Sequence, residues 1–274
     1  MSAVFAVVNQ KGGVGKTTTA VNTAACLADA GVRTLLVDTD PQGNASSGVG
    51  VVKSELGSCI YDVLINDEPT RQAIVHTETP RLDLVPAKLD LAGADIELMS
   101  MMSRETKLKQ ALEQVEQDYE FIIIDCPPSL GLLTVNVLTA ARYVILPIQC
   151  EYYALEGISQ LLRTIDLVRQ HLNPELEIAK VLLTMFDYRT NLSQQVVDEV
   201  RRFFGELVSS VLVPRNVRLS EAPSHGKPIV SYDPKSKGAE AYTKFAAEVI
   251  SFGKERSGQG TGSADSRSGS PVAT

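Results

Sequence analysis

The stretch NQKGGVGKTTTAVN, residues 9–22, packs three glycines and two lysines into the six positions from Lys11 to Lys16. Glycines spaced this way let backbone N–H groups approach an anion closely, and a helix starting at Lys16 would aim its positive end at the same point. Lys16 is placed to neutralise the β and γ oxygens of a nucleoside triphosphate, and the Thr17 hydroxyl to hold Mg²⁺. Phosphate contacts are therefore expected from Gly12, Gly13, Val14, Gly15, Lys16, Thr17 and Thr18. The loop is a variant, because Gln10 stands where the usual pattern has its first glycine and Lys11 is extra. A purely structural glycine turn is the competing reading, disfavoured by the apolar run before it and the helical pattern after it.

Two further stretches carry carboxylates at the ends of apolar runs. In LLVDTDPQGNAS, residues 35–46, Asp38 and Asp40 can orient an attacking water or a metal-bound water, although DxDP alone also makes an Asx-type turn. Spacing leaves the two aspartates equal. In FIIIDCPPSLG, residues 121–131, four apolar residues lead into Asp125, the arrangement that holds Mg²⁺ through water in phosphoryl-transfer sites. Pro127 and Pro128 impose an extended exit, as suits a loop that follows a γ-phosphate.

The elements needed to position these groups are legible as short apolar runs alternating with amphipathic segments. Strands are expected at 4–9, 34–38, 82–86, 121–125, 143–147, 178–184 and 211–213. Helices are expected at 16–30, 107–119, 132–141, 154–171, 192–204 and 238–252. Such alternation implies an α/β fold, a doubly wound and mostly parallel sheet with helices on both faces. One domain is expected over residues 1–250. From Ser251 onward, eleven of 24 residues are Gly or Ser, which predicts a disordered tail with no amphipathic face.

Composition narrows the partners. The chain of 274 residues has a net charge of -7, which argues against a general nucleic-acid binder. The charge is uneven, however: residues 180–238 hold nine Lys or Arg against six Asp or Glu, so a local basic face on an acidic body is allowed. Cys26, Cys59, Cys126 and Cys150 are widely spaced, which fits reduced buried thiols and a cytoplasmic protein. The N-terminus reads as a first strand, not a signal peptide, and no apolar run nears the roughly 20 residues of a membrane span.

KGGVGKTT, DTDPQGN and DCPPSLG, in this order, resemble the deviant Walker A ATPases, most closely the ParA-type (Soj-like) partition ATPases. The resemblance extends from Val4 to about Val249 and includes TMFDYRTN at 184–191 and PRNVRLSEAPSHGKPI at 214–229. It implies an ATP hydrolase that works with Mg²⁺ as an ATP-bound homodimer, with Lys11 crossing the interface to the partner subunit's nucleotide. A side chain at Gly12 would sit where the subunits close. The resemblance also favours Asp40 over Asp38 as the water-positioning residue and assigns Mg²⁺ to Thr17 and Asp125. Adenine contacts fall on Pro214 and Asn216, and non-specific binding of double-stranded DNA on Arg189 and Arg218, extended by Lys227, Lys235 and Lys237. A ParB-type (Spo0J-like) partner would stimulate slow turnover, and the protein would be nucleoid-associated in the cytoplasm. The MinD-type relatives dock on membrane through an amphipathic C-terminal helix, a feature the Gly/Ser-rich end lacks. Nor does Cys126 fall in the register of cluster-bridging relatives, and Lys11 lies too near the start to leave room for an N-terminal DNA-reading domain. The alternative of another class is a same-fold positioning or regulatory ATPase for a different cargo or for replication initiation.

Overall fold

A computed structural model describes residues 2–152 and 154–259. The strands are β1 (Ala3–Val7), β2 (Thr34–Asp38), β3 (Val75–His76), β4 (Leu82–Val85), β5 (Phe121–Asp125), β6 (Tyr143–Gln149), β7 (Glu177–Phe186) and β8 (Val208–Pro214). They form one sheet in the order β3-β4-β2-β5-β1-β6-β7-β8, parallel throughout except for the short edge strand β3. Around it lie α1 (Lys16–Asp29), α2 (Asn44–Gly48), α3 (Ile60–Ile65), α4 (Thr70–Ala73), α5 (Ala94–Met99) and α6 (Lys107–Glu113). The second half adds α7 (Leu132–Ala140), α8 (Ile158–His171), α9 (Asn191–Phe204), α10 (Val217–Glu221), α11 (Ile229–Tyr232) and α12 (Lys237–Gln259).

The central strands are apolar at every position because alternate side chains feed two cores. Val4, Ala6, Ile122, Ile124, Leu35 and Val37 face one, with α3 to α9 packed over them. Ala3, Phe5, Phe121, Ile123 and Leu36 face the other, under α1 and α10 to α12. The doubly wound fold follows from that two-sided burial. Register then sets the site: Val7 pairs with Asp125 and Asp125 with Asp38, so the carboxyl ends of β1, β5 and β2 finish side by side.

Several elements differ from the sequence expectation, each for a local reason. β6 continues past Pro147 to Gln149; β1 has stopped pairing at Ile145, so the missing proline N–H removes no bond there. In place of β1, the Asn9 side chain donates to the Pro147 carbonyl at 2.7 Å. α8 begins at Ile158 rather than Ala154, since Gly157 adopts φ 78° and interrupts the turn before it. The helix expected over 107–119 breaks after Glu113, and Tyr119 turns extended, its hydroxyl donating to Asp83 at 2.8 Å. The edge strand β3 and the short helices α2 to α5, α10 and α11 have too few residues to show a period.

The closing helix runs past the composition change at Ser251 and ends at Gln259, so the start of the expected tail is ordered helix. Phe252 packs edge-on to Tyr143, with ring centroids 5.0 Å apart, and touches Phe5. At Gly253 a Cβ would lie 2.8 Å from the Phe121 ring, so glycine lets the helix approach the sheet. Arg256 lies over the Phe252 ring and pairs with Glu177 at 3.0 Å. The rest of that tail lies outside the described residues. Phe252→Ala is expected to lower the unfolding free energy by about 2 kcal/mol, the lower range for a partly buried aromatic, as read from urea denaturation midpoints.

Candidate active site

The phosphate loop leaves β1 and enters α1 through two left-handed glycines, Gly13 at φ 76° and Gly15 at φ 89°. No side chain caps α1 and its first turn holds no acidic residue, so its N-terminal dipole faces the loop without a resident anion. Asn9 fixes the entry, its Oδ1 accepting from the Lys11 N–H at 2.9 Å. Thr184, near the end of β7, fixes the middle by donating its hydroxyl to the Val14 carbonyl at 2.8 Å. The Lys16 ammonium is buried and donates to the Lys11 carbonyl at 3.2 Å. Burial lowers its pKa, opposed by the nearby carboxylates of Asp125 and Asp40.

Lys11 and Gly12 behave differently from the rest of the loop. Among the described residues no side chain or carbonyl holds the Lys11 ammonium. At Gly12 an added Cβ would meet nothing within 4 Å. Nothing among the described residues therefore explains either one.

The three aspartates share a site but not an environment. Asp38 is fully buried and saturated: Oδ2 accepts from the Ser46 N–H and hydroxyl, both at 2.8 Å, and Oδ1 from the Asp40 N–H at 3.1 Å. Burial raises its pKa, and those three bonds oppose the rise. The Asx turn foreseen for DxDP is present, twice over, since Asp40 Oδ1 accepts from the Gln42 N–H at 2.9 Å. Asp40 Oδ2, by contrast, has no partner among the described residues. Asp125 is completely buried, and neither carboxylate oxygen makes a hydrogen bond of acceptable geometry. Burial first, and then the Asp38 charge, push its pKa well up; the facing Thr17 hydroxyl and Lys16 pull the other way without closing a bond. An orphaned buried carboxylate beside a hydroxyl and an ammonium is the donor set expected of a divalent cation shared with phosphate oxygens. No three His, Cys, Asp or Glu side chains among the described residues are placed to hold a metal ion together. The protein alone therefore does not cage a metal, which suits Mg²⁺ held by one carboxylate plus ligand phosphates and water.

A pocket of about 360 Å³ continues from Gly15 and Thr18 between Met185, Pro214, Asn216 and Tyr242. Pro214 and Asn216 thus line the same pocket as Gly15 and Thr18 of the phosphate loop. Asn216 Oδ1 is already committed as the N-cap of α10, accepting from the Arg218 N–H at 2.8 Å, which leaves its amide nitrogen as its remaining polar atom. Met185 sits at φ 53°, a strained value for this residue, at the pocket wall. Ser46, Thr184, Met185 and Tyr242 carried no signal of their own in the sequence. Three look like ordinary core or turn residues, and Thr184 betrays itself only as a polar residue within an apolar strand.

Arg189 and Arg218 are exposed, with side-chain exposures of 85% and 54%, and both are held by carboxylates of this chain. Arg189 grips Asp187 through Nε and Nη2 at 2.9 and 2.8 Å, which holds that carboxyl well below its usual range. Arg218 pairs with Glu221 at 2.9 Å and Asp233 at 3.4 Å. Lys227, Lys235 and Lys237 are exposed. All four cysteines are buried free thiols, and no described helix is long and apolar enough to cross a membrane.

A glycine loop between a parallel strand and a helix, with two carboxylates on neighbouring strand ends, defines a phosphate-loop nucleotide-binding protein of the doubly wound class. A protein-family profile described as an AAA domain matches residues 2–178. The chain is 58% identical over 253 residues to the sporulation initiation inhibitor protein Soj of Bacillus subtilis, covering 92% of this chain and all of that one. It is 56% identical over 247 residues to the chromosome partitioning protein ParA of Myxococcus xanthus, covering 90% and 87%. Among solved structures, a Mycobacterium smegmatis protein described as cobyrinic acid a,c-diamide synthase with bound ADP and magnesium is 42% identical, with a TM-score of 0.83 over 93% of this chain and 97% of that one. The chain belongs to the Soj/ParA family of chromosome-partitioning proteins.

Removing the Asp125 charge should reveal the cost of keeping it unpaired. Asp125→Asn is expected to stabilise the nucleotide-free protein by about 1–2 kcal/mol and to abolish the added stability that Mg²⁺ gives over ADP alone. Thermal unfolding with ADP, with and without Mg²⁺, checks both.

Proposed function

We propose that the protein is a Mg²⁺-dependent ATP hydrolase that dimerises on binding ATP, holds DNA without sequence preference in that state, and segregates chromosomes or plasmids. The observation that carries the reading is the orphaned Asp125 carboxylate, buried beside Thr17 and Lys16 at the mouth of a phosphate loop. Thr17 and Asp125 would hold Mg²⁺, which when bound neutralises charge on the phosphates. Lys16 and the loop amides would hold the β and γ phosphates, and the pocket lined by Pro214 and Asn216 the adenine. Asp40 is the better choice for orienting the attacking water, because one of its oxygens is uncommitted while Asp38 is saturated. Asp38 then acts as a brace that fixes the start of the Asp40 loop.

Lys11 supplies the dimer. An ammonium engaged by nothing among the described residues, next to a glycine facing open space, fits a group that completes its contacts on a partner subunit's phosphates. Dimerisation would pair Arg189 and Arg218 with their copies, and two weak phosphate-binding patches would act as one. Arginine suits this task because its fork stays charged and bonds phosphate oxygens two at a time. The intramolecular pairs with Asp187, Glu221 and Asp233 compete for the same forks, and because phosphate contacts release counterions, DNA binding should weaken steeply with salt. A ParB-type protein is the proposed activator, and the proposed location is the cytoplasm, on the nucleoid.

Asp40→Ala protein should co-sediment with random-sequence DNA in ATP but not in ADP, less at higher salt, and should not co-sediment with anionic liposomes. Liposome binding in ATP, or no binding to either, would overturn the DNA readout. Lys11→Ala should bind ATP yet remain monomeric by light scattering, and a normal ATP dimer would refute its role across the interface. Arg218→Glu should still dimerise while losing at least about ten-fold in DNA affinity, as befits a phosphate contact present in both subunits; unchanged affinity would remove it from the DNA face.

A further inference from the structure

The loop that leaves Asp125 is anchored at its far end by a residue outside both aspartate motifs. α7 starts at Leu132 with Gly131 as its N-cap, and Gly131 has no side chain to bond the first-turn amides. Asp95, on α5, does so from 38 residues away, its Oδ1 accepting from the Leu133 N–H at 2.8 Å. The loop rests on the turn thus held. Thr134 donates its hydroxyl to the Ser129 carbonyl at 2.6 Å, and Cys126 Sγ lies 3.4 Å from the same hydroxyl. One helical turn further on, Asn136 ties α7 to α6 by accepting from the Leu108 N–H and donating to the Arg104 carbonyl. Asn136 thus holds the second turn, and Asp95 the first, on which the loop rests.

Gly131 shows how close this contact is. Its backbone is extended, with φ -79° and ψ -171°, so conformation does not call for glycine. Space does: a Cβ at Gly131 would lie 2.5 Å from Asp95 Oδ2. The glycine and the aspartate form one fitted pair.

We propose that Asp95 is a positioning residue of the hydrolytic switch. By capping α7 from α5 it latches the far end of the 126–131 loop, whose near end is fixed by β5 at Asp125. The loop is then a strap held at both ends, with Pro127 and Pro128 stiffening its middle. Its stance relative to the phosphates is set by the latch, and a change of stance must work against it. The activity arm of this proposal rests on the ATPase reading above; the latch itself does not.

Four full-length variants test it: Asp95→Ala, Asp95→Asn, Gly131→Ala and the Asp95→Ala/Gly131→Ala pair. Hydrogen exchange over residues 127–135 is measured with ADP, and kcat and KM for ATP with Mg²⁺ and DNA. Asp95→Ala should speed exchange in this segment by about ten-fold and lower kcat about five-fold or more, with KM within about two-fold. Asp95→Asn keeps an acceptor for the Leu133 N–H and should stay within about two-fold of the parent on every readout. Gly131→Ala should act like Asp95→Ala by collision, and in the double variant it should add nothing, because the colliding carboxylate is gone. Unchanged exchange in Asp95→Ala, a kcat within two-fold of the parent, an Asn variant as impaired as Ala, or additive single effects would each overturn the proposal. A parent protein that does not hydrolyse ATP would sink the ATPase reading and with it the switch role; the exchange arm would still decide whether the latch exists.

Discussion

The parallel register that sets Val7 and Asp38 on either side of Asp125 is the constraint on which the site depends. A shift of one residue in β5 would turn its side chains to the opposite faces and send Asp125 to the other core. That register is itself enforced by burial, since Ile122 and Ile124 must enter one core and Phe121 and Ile123 the other. Two large apolar interfaces therefore hold one carboxylate in a place where it has no partner. The free energy lost on that carboxylate is small against the two cores. A site of this kind is stable because the sheet, not the site, sets its geometry.

The same reasoning separates what could be read from the sequence from what could not. The long buried strands and the long helices were legible because their periods are strong, and the phosphate loop and Asp125 because their residue types have few other uses after an apolar strand. The boundary at Ser251 was misplaced by composition: Phe252 and Arg256 are only two apolar-contacting residues among many Gly and Ser, yet they carry the helix against Tyr143 and Glu177. Spacing left Asp38 and Asp40 equal and only the resemblance favoured Asp40, because what separates their surroundings is Ser46, eight residues away, folding back to saturate Asp38. Met185 was equally hidden, since a positive φ at a methionine has no compositional mark.

Partners outside the chain leave a different trace, and the glycines display it. Gly13 and Gly15 are needed by the backbone, which turns left-handed there. Gly131 is needed by a neighbour inside the chain. Gly12 has neither reason: its conformation is ordinary and the space around it is empty. Glycine is costly in conformational entropy, so a residue with no internal justification, between an unheld lysine and a phosphate cradle, points to something arriving from outside. That is why the dimer can be argued from a single chain. Among the described residues the unengaged Lys11 ammonium and the open space at Gly12 stand side by side at the mouth of the phosphate loop, which is the arrangement the proposed dimer requires.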